Sequence, residues 1–174
     1  MPDRFYEMIC LFIIYSFIGW CVEVLYAAMT TGKLINRGFL SGPYCPIYGV
    51  GMLLIIVLLY PLRYDLIFLF LAAVFLTSVL EYLTGILLEA FFNQRWWDYS
   101  NMPFNIQGFV CLKFSILWGL GCVFVIRIIH PHIRMFADYL CCSVGYVIIS
   151  CILVIFIFDL INTMHKECRK KKIR

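Results

Sequence analysis

Ionisable side chains lie inside long apolar stretches of this chain, at Glu23, Glu81, Glu89 and Lys113. Such residues are candidates for a substrate or ion pathway, because a charge at the centre of a bilayer costs about 3 kcal/mol on insertion scales. At about 1.5 Å of rise per helical residue, Glu81 is predicted near the membrane midplane, where its side chain cannot extend to water. Glu81 must therefore be protonated, paired or facing a wet cavity, and it is the strongest functional candidate.

The other three residues are predicted at similar depths from one membrane face, about 5, 8 and 9 Å for Glu89, Lys113 and Glu23. Lys113 could neutralise Glu89 or Glu23 across a helix interface. Alternatively, its long aliphatic stem lets the ammonium group extend to the lipid headgroups. The sequence leaves both interpretations open.

Small residues recur beside these carboxylates at every fourth position. One such ridge contains Gly19, Glu23 and Ala27, and the other contains Glu81, Gly85 and Glu89. Residues four apart lie on one face of a helix, and small side chains let transmembrane helices approach closely. We therefore expect both ridges to face protein. For Glu23 and Glu89, a structural polar clasp between helices is then an alternative to a role in transport.

A segment dense in glycine and proline precedes the second apolar stretch. Its candidate functional residues are Asn36, Arg37, Gly42, Pro43, Tyr44 and Pro46. One interpretation is a re-entrant or broken helix start, whose free backbone groups must line a hydrated cavity enclosed by protein. The other interpretation is a tight loop in which a proline begins the next helix.

A second polar segment precedes the fourth apolar stretch. Its candidate functional residues are Trp96, Asp98, Tyr99, Asn105 and Gln107. The amide side chains of Asn105 and Gln107 require hydrogen-bond partners. The aromatic rings are equally typical of the belt that anchors a protein at the membrane interface.

The composition indicates which elements hold these residues. Hydrophobic residues make up 64% of the 174-residue chain and charged residues 14%, and the mean hydropathy is +0.94. A soluble domain is usually about 45 to 50% apolar and about 25% charged. The sequence therefore predicts an all-α, polytopic integral membrane bundle over residues 1–165. Five stretches are long enough to span a bilayer: residues 5–29, 44–62, 66–92, 108–130 and 138–161.

A weak internal similarity relates two parts of the chain. An offset of 66 residues aligns Gly19 with Gly85, Glu23 with Glu89, Gly42 with Gly108, and Cys45 with Cys111. Repeats of this kind are common in membrane transporters. The alignment raises the hypothesis of a parallel repeat of two helical hairpins.

Basic residues are unevenly distributed, since six of the fourteen lie in a tail from Lys166 to Arg174. With five spans, the excess of Lys and Arg on one side predicts a cytoplasmic C-terminus and an external N-terminus. The loops at 30–43 and 93–107 are then cytoplasmic, and a short outer turn is predicted at 131–137. The tail, residues 166–174, either sets this topology or binds anionic lipid.

Several kinds of chemistry have no supporting pattern in the sequence. The Gly32-Lys33 pair is followed by Leu34 where a phosphate-binding loop needs Ser or Thr, so the chain is not predicted to be its own ATPase. Neither a metal-ligand nor a nucleophile motif is present, and no metal, cofactor or nucleic acid is expected. The nine cysteines include no C-x-x-C pair and are interpreted as small buried hydrophobic residues.

Longer polar motifs are distributed over residues 16–130. They are Gly19-Trp20 with Glu23, the segment Asn36 to Gly49, Glu81 to Gly85, Trp96 to Ser100, and Asn105 to Gly108 with Cys111 to Ser115 and Trp118-Gly119. In these motifs the chain resembles the bacterial family described as putative ABC-transporter permease, type IV (CmpB-type). The pattern of that family has an arginine after Asn-Ile-Gln-Gly, where this chain has Phe109. The resemblance implies a multi-pass protein of the bacterial plasma membrane that works with a separate ATP-binding subunit.

Three functions are compatible with these observations. The first is a transport component, with Glu81 facing the translocation path and the cytoplasmic loops contacting an ATPase in trans; five helices then require a homo-oligomer or another subunit. The second is a non-catalytic assembly or sensor protein whose polar ridges hold helices together. The third, an intramembrane enzyme, would use Glu81, Glu89 or Asp98 as acid or base beside Asn105 and Gln107. We expect the chain not to be an enzyme, because no recognised nucleophile or metal motif supports the third function.

Overall fold

The structure, a computed structural model, describes residues 4–36, 38–140 and 142–173, with side chains as far as Lys170 at the C-terminal end. This part of the chain forms α1 (Arg4–Thr31), α2 (Pro46–Leu59), α3 (Leu66–Phe92), α4 (Leu112–Phe124), α5 (His130–Leu140) and α6 (Ser143–Ile173). Two short strands, β1 (Asn105–Ile106) and β2 (Val110–Cys111), pair antiparallel before α4. Arg37, one of the predicted loop residues, lies outside the described residues.

Within the described part of the chain, five helical segments are long and apolar enough to cross a membrane. They are Arg4–Thr31, Pro46–Tyr64, Leu66–Phe92, Leu112–Leu140 and Ser143–Lys170. A helix pairs most of its backbone groups within itself, which is what a hydrocarbon surrounding requires. The prediction of an all-α membrane protein with five spans is confirmed.

The fourth span differs from its predicted bounds at its C-terminal end. The outer turn predicted at 131–137 is wrong, because the helix continues to Leu140. A π-helical segment, Val125–Ile129, joins α4 to α5 just before Pro131. A local π turn accommodates the proline ring and the missing N–H without ending a transmembrane helix.

The fourth span also begins later than predicted, at Leu112 instead of Gly108, because residues 105–111 form the strand pair. The last helix, α6, begins at Ser143 and not at Asp138. It continues through the basic segment, so the predicted tail extends the helix as far as the structure describes it.

The chain divides into two compact units, one made of residues up to Val50 with those from Ile133 onward, the other of Gly51–His132. In the first unit, α1 packs on α6 through aromatic rings. The centroids of Phe12 and Phe156 are 5.3 Å apart, and Tyr6 pairs with Tyr146 in a similar way. The division into units does not test the hypothesis of a repeat of helical hairpins, which stays a prediction.

In the second unit, α3 and α4 approach closely at Gly119. A Cβ atom at this position would lie 3.0 Å from the ring of Phe70 on α3. One turn earlier on α4, Ser115 accepts a hydrogen bond of 2.8 Å from the hydroxyl of Ser78. A glycine contact and a hydroxyl pair are typical of close helix packing in membranes, where small and polar side chains replace the hydrophobic driving force.

Candidate functional site

Glu81 lies on α3 and is buried, with 8% of its surface exposed. Its carboxylate accepts a hydrogen bond of 3.1 Å from the hydroxyl of Tyr99. Tyr99 belongs to the loop that follows α3, and its ring stacks on Phe114 of α4 at 4.8 Å between centroids. Because Glu81 is about three turns from the C-terminal end of α3, the loop must fold back along the helix to reach it.

The loop reaches α3 because Gly85 leaves room for a ring. Phe109 lies against this glycine, and a Cβ atom added to Gly85 would be 2.6 Å from the phenyl Cδ1. The Phe109 side chain is buried and meets the ring of Tyr82 edge to face, at 5.8 Å between centroids. The ridge of Glu81, Gly85 and Glu89 therefore faces protein, as its spacing predicts.

A tight turn brings Phe109 to this position. Gln107 and Gly108 both have positive φ, 52° and 76°, and the amide of Phe109 donates to the carbonyl of Ile106 at 3.0 Å. Two successive positive φ angles are those of a type I′ hairpin turn. The Asn105 side chain supports the turn, since its Oδ1 accepts from Gly108 N and its Nδ2 donates to the carbonyl of Met102. The amide of Asn105 is thus used to shape the loop.

Glu89, at the next position of the ridge, pairs with Arg95. The guanidinium Nε and one terminal nitrogen of Arg95 lie 2.8 and 3.2 Å from the two carboxylate oxygens of Glu89. This hydrogen bonding and the negative charges of Glu89 and Asp98 raise the pKa of Arg95. The same guanidinium lies over the ring of Phe109, 4.5 Å from its centroid, and donates to the carbonyl of Gln107. Arg95 therefore joins the C-terminal part of α3 to the hairpin.

Lys113 does not pair with Glu89. Its side chain is exposed at the start of α4, and its ammonium lies 6.0 Å from the ring centroid of Phe114. Among the described residues of its own unit, no carboxylate forms an ion pair with Lys113. The proposed partner Glu89 is occupied by Arg95, so the alternative of an ammonium extended to the headgroups is favoured.

Asp98 organises the first part of the loop. Its Oδ1 accepts hydrogen bonds from the hydroxyl of Ser100 at 2.5 Å and from the Ser100 amide at 2.9 Å. These bonds, with a smaller effect of Arg95, lower the pKa of the Asp98 carboxyl. A Cβ at Gly108 would be 2.7 Å from the same oxygen, so the turn needs glycine for space as well as for φ.

The remaining predicted residues of this loop, Gln107 and Trp96, contact α3. Gln107 Oε1 accepts from the hydroxyl of Tyr82 at 3.1 Å. Trp96 packs its ring edge to face on Phe92 at the end of α3, with centroids 5.8 Å apart. Its neighbour Trp97, which belongs to the same sequence motif but was not predicted as a site residue, donates its indole N–H to the carbonyl of Phe109 at 2.9 Å.

The first unit contains a second carboxylate bound to a hydroxyl. Glu23 on α1 accepts a hydrogen bond of 2.5 Å from Tyr48 on α2. The Tyr48 ring lies against Gly19, where a Cβ would collide with it. In each unit, a glycine one turn before an acid therefore packs against an aromatic ring. Gly19 packs against Tyr48, and Gly85 packs against Phe109.

Asn36 shapes the glycine- and proline-rich loop between α1 and α2. Its Oδ1 accepts from the indole of Trp20 at 3.2 Å and from the amide of Gly38 at 3.0 Å, while its Nδ2 donates to the carbonyls of Leu40 and Ser41. The loop ends where α2 begins, at Pro46. A tight loop with proline as the first helical residue is the second of the two interpretations, and these contacts favour it.

Asp159 on α6 is a site residue that sequence reasoning missed. Its Oδ2 accepts from the amide of Gly42 at 2.8 Å, and its Oδ1 accepts from the hydroxyl of Thr163 at 3.3 Å. Burial, together with the nearby charge of Asp159, raises the pKa of Tyr44 to about 12. Pro43 lies between these two loop residues. The available signal was an acid inside an apolar stretch, the same signal that singled out Glu81.

Among the described residues, five helices long and apolar enough to cross a bilayer define the chain as a multi-span integral membrane protein. The family model described as putative ABC-transporter type IV matches residues 10–164, and the chain belongs to this family. The family resemblance identified in the sequence is thereby confirmed. Comparison with curated proteins gave no match, and neither did comparison with solved structures.

Proposed function

We propose that this protein is the membrane-embedded permease component of an ABC-type transport system, driven by an ATP-binding subunit carried on a separate chain. Family membership supports transport as the class of function. The five spans support a role within the bilayer. Five helices are few for a complete pathway, so the working unit is a homo-oligomer or a complex with another membrane subunit.

The observation that carries the proposal is the hydrogen bond between Tyr99 and Glu81. A buried carboxyl in an apolar span is costly, yet here it is in contact with a polar loop that continues to the membrane surface. The residues of that loop supply a chain of polar groups leading toward Glu81. This arrangement suits an acid that binds a proton, a cation or a hydrogen-bond donor of the substrate.

In this proposal the hairpin at 105–111 covers Glu81. Tyr99 donates to the carboxylate when the loop is folded against α3, and Phe109 seals the contact at Gly85. Displacement of the loop frees the acceptor oxygens for a transported group. Arg95 limits this movement, because it is bound to Glu89 on α3 and to the Gln107 carbonyl in the turn.

The orientation follows from the distribution of basic residues. A cytoplasmic C-terminus, with its six basic residues from Lys166 to Arg174, places the loops at 30–43 and 93–107 on the cytoplasmic side. Both loops are then accessible to a cytoplasmic ATP-binding subunit. The membrane is the bacterial plasma membrane, in accordance with the bacterial family that the sequence resembles.

A test of the class of function is copurification in mild detergent from the cells that produce the protein. We expect a stoichiometric partner with a phosphate-binding loop, identified by mass spectrometry. A matched control is the same purification from cells expressing the Gly85→Val variant, in which the hairpin is displaced. Recovery of the protein alone, or with partners that contain no ATPase, would contradict the proposal.

A non-catalytic assembly protein is the second candidate, and one observation favours it. Glu89 is already bound at both oxygens by Arg95, so this acid acts as a clasp. The enzyme alternative has less support. Asp98 is bound to Ser100 and Asn105 to backbone groups of the loop, and the lowered pKa of Asp98 makes it a poor general acid or base near neutral pH.

A further inference from the structure

Asp159 lies inside the apolar span of α6, in a different compact unit from Glu81. An ionisable residue within a span is expensive and is retained where it has defined partners. Its hydrogen-bond partners are the Gly42 amide, in the loop between α1 and α2, and Thr163 one turn further along α6. The role of Asp159 is therefore to be found in that loop.

Three hydrogen bonds attach the loop and the start of α2 to α1. The amide of Cys45 donates to the carbonyl of Ser16 at 2.9 Å, and Trp20 donates to Asn36. Just beyond the loop, Tyr48 donates to Glu23. These attachments flank the turn at Gly42–Tyr44, and Asp159 binds that turn from α6.

We propose that Asp159 is a positioning residue, whose carboxylate holds the Gly42–Tyr44 turn against α6 and so keeps the loop closed over Cys45. The Gly42–Asp159 hydrogen bond and the contact of the Tyr44 ring with Phe156, at 4.9 Å between centroids, link α6, which continues into the basic C-terminal segment, directly to the loop. A shift of α6 would thus be transmitted to the loop through this carboxylate. The inference does not depend on the role proposed for Glu81.

The two oxygens of a carboxylate suit this role. Oδ2 accepts from the Gly42 amide, and Oδ1 accepts from the Thr163 hydroxyl. An asparagine at position 159 could accept through one oxygen only, since its amide nitrogen is a donor. Asp159→Asn should therefore weaken the attachment, and Asp159→Ala should remove it.

Cys45 reports on the state of the loop. It is 4% exposed, and a Cβ on Gly38 would approach its sulfur to 2.9 Å. Burial, together with the charge of Glu23, raises the pKa of its thiol to about 12. Because maleimides react with the thiolate, Cys45 is protected while the loop is closed.

The experiment measures the rate of N-ethylmaleimide labelling at Cys45 in the full-length protein in detergent, with peptides quantified by mass spectrometry. Cys111, which is fully buried in the other unit, reports on global unfolding in the same sample. We expect Asp159→Ala to speed labelling of Cys45 by about tenfold or more, in keeping with the loss of hydrogen bonds to a charged group. Asp159→Asn should give a smaller increase, and Cys111 should stay protected in both.

A matched control is Thr163→Val, which removes one hydrogen bond to Asp159 and leaves the loop contacts intact. Its labelling rate at Cys45 should stay within about twofold of the parent rate. Continued protection of Cys45 in Asp159→Ala, with Cys111 protected, would overturn the inference. If Asp159→Ala exposes both cysteines, the milder Asp159→Asn decides: selective exposure of Cys45 supports the inference and unchanged protection contradicts it.

Discussion

Tyr99 donates its hydroxyl to the carboxylate of Glu81 across 3.1 Å, although the two residues belong to a loop and to the middle of a membrane-spanning helix. The contact exists because the loop folds back along α3 and is stabilised by the turn at Gln107-Gly108. A polar group at depth is thereby connected to the polar surface of the protein.

Gly85 should be required for packing of the hairpin. Replacement by valine places atoms where the Phe109 ring lies, 2.6 Å from a Cβ, and overpacking of this kind costs about 1 to 3 kcal/mol. We expect a lower thermal midpoint in detergent. Gly121→Ala is the control, because no atom lies within 4 Å of a Cβ there, and its midpoint should be unchanged or slightly higher. Equal midpoints for the two variants would contradict the packing described for Phe109.

Arg95 should hold the hairpin to α3 through its fork of donors. Arg95→Lys keeps the charge but cannot bind both oxygens of Glu89 in the same way. We expect faster hydrogen exchange at residues 105–111 in this variant, and faster still in Arg95→Gln. Lys113→Gln is the matched control, since Lys113 forms no ion pair in its unit, and exchange there should be unaffected. Slower or unchanged exchange in Arg95→Gln would show that the ion pair is dispensable.

Asp98 should make the hairpin sensitive to acid. Its pKa is lowered in the folded protein by the bonds from Ser100, so its contribution is fully present above the unfolded pKa of about 3.9 and is lost as the pH falls through the lower folded value. Fluorescence of Trp97, whose indole binds the Phe109 carbonyl, should therefore be constant from neutral pH to about pH 5 and change below it. In Asp98→Asn this acid transition should disappear, and its persistence would assign it to another carboxyl.

The orientation can be tested with reporter fusions. A cytoplasmic C-terminus predicts that a fluorescent protein fused after Arg174 is bright and that alkaline phosphatase at the same place is inactive. A cysteine introduced at Arg4 should be labelled from outside the cell by an impermeant maleimide. An active C-terminal phosphatase would reverse the topology and place both polar loops outside.

Much of the fold could be predicted because it depends on local sequence. Long apolar runs predict spans, and the four-residue spacing of Glu81, Gly85 and Glu89 predicts a face in contact with protein. Pro131 led to the wrong prediction of a turn, because the helix continues past this proline through a π-helical segment. Whether a proline ends a helix or is accommodated within it depends on packing. The sequence contains the proline but not its surroundings.

The partners of the acids were harder to predict, since they depend on how loops fold back. Lys113 was considered as a partner of Glu89 because their predicted depths match. In the structure, Arg95 of the loop forms the ion pair with Glu89. The bond from Gly42 to Asp159 joins residues 117 positions apart. A single sequence holds no signal for such pairs, although the rarity of acids inside apolar stretches could have drawn attention to Asp159.

The most direct test of the proposed function is replacement of Glu81 by glutamine, followed by complementation of cells that lack the protein. Gln keeps the shape and an acceptor for Tyr99, so detergent stability should change by less than about 1 kcal/mol, whereas Glu81→Leu should harm folding. Glu89→Gln serves as a control for loss of a carboxylate that is already paired with Arg95. The account predicts that Glu81→Gln is folded and fails to complement, while Glu89→Gln complements. Full complementation by Glu81→Gln would contradict it and would leave Glu81 as a structural clasp.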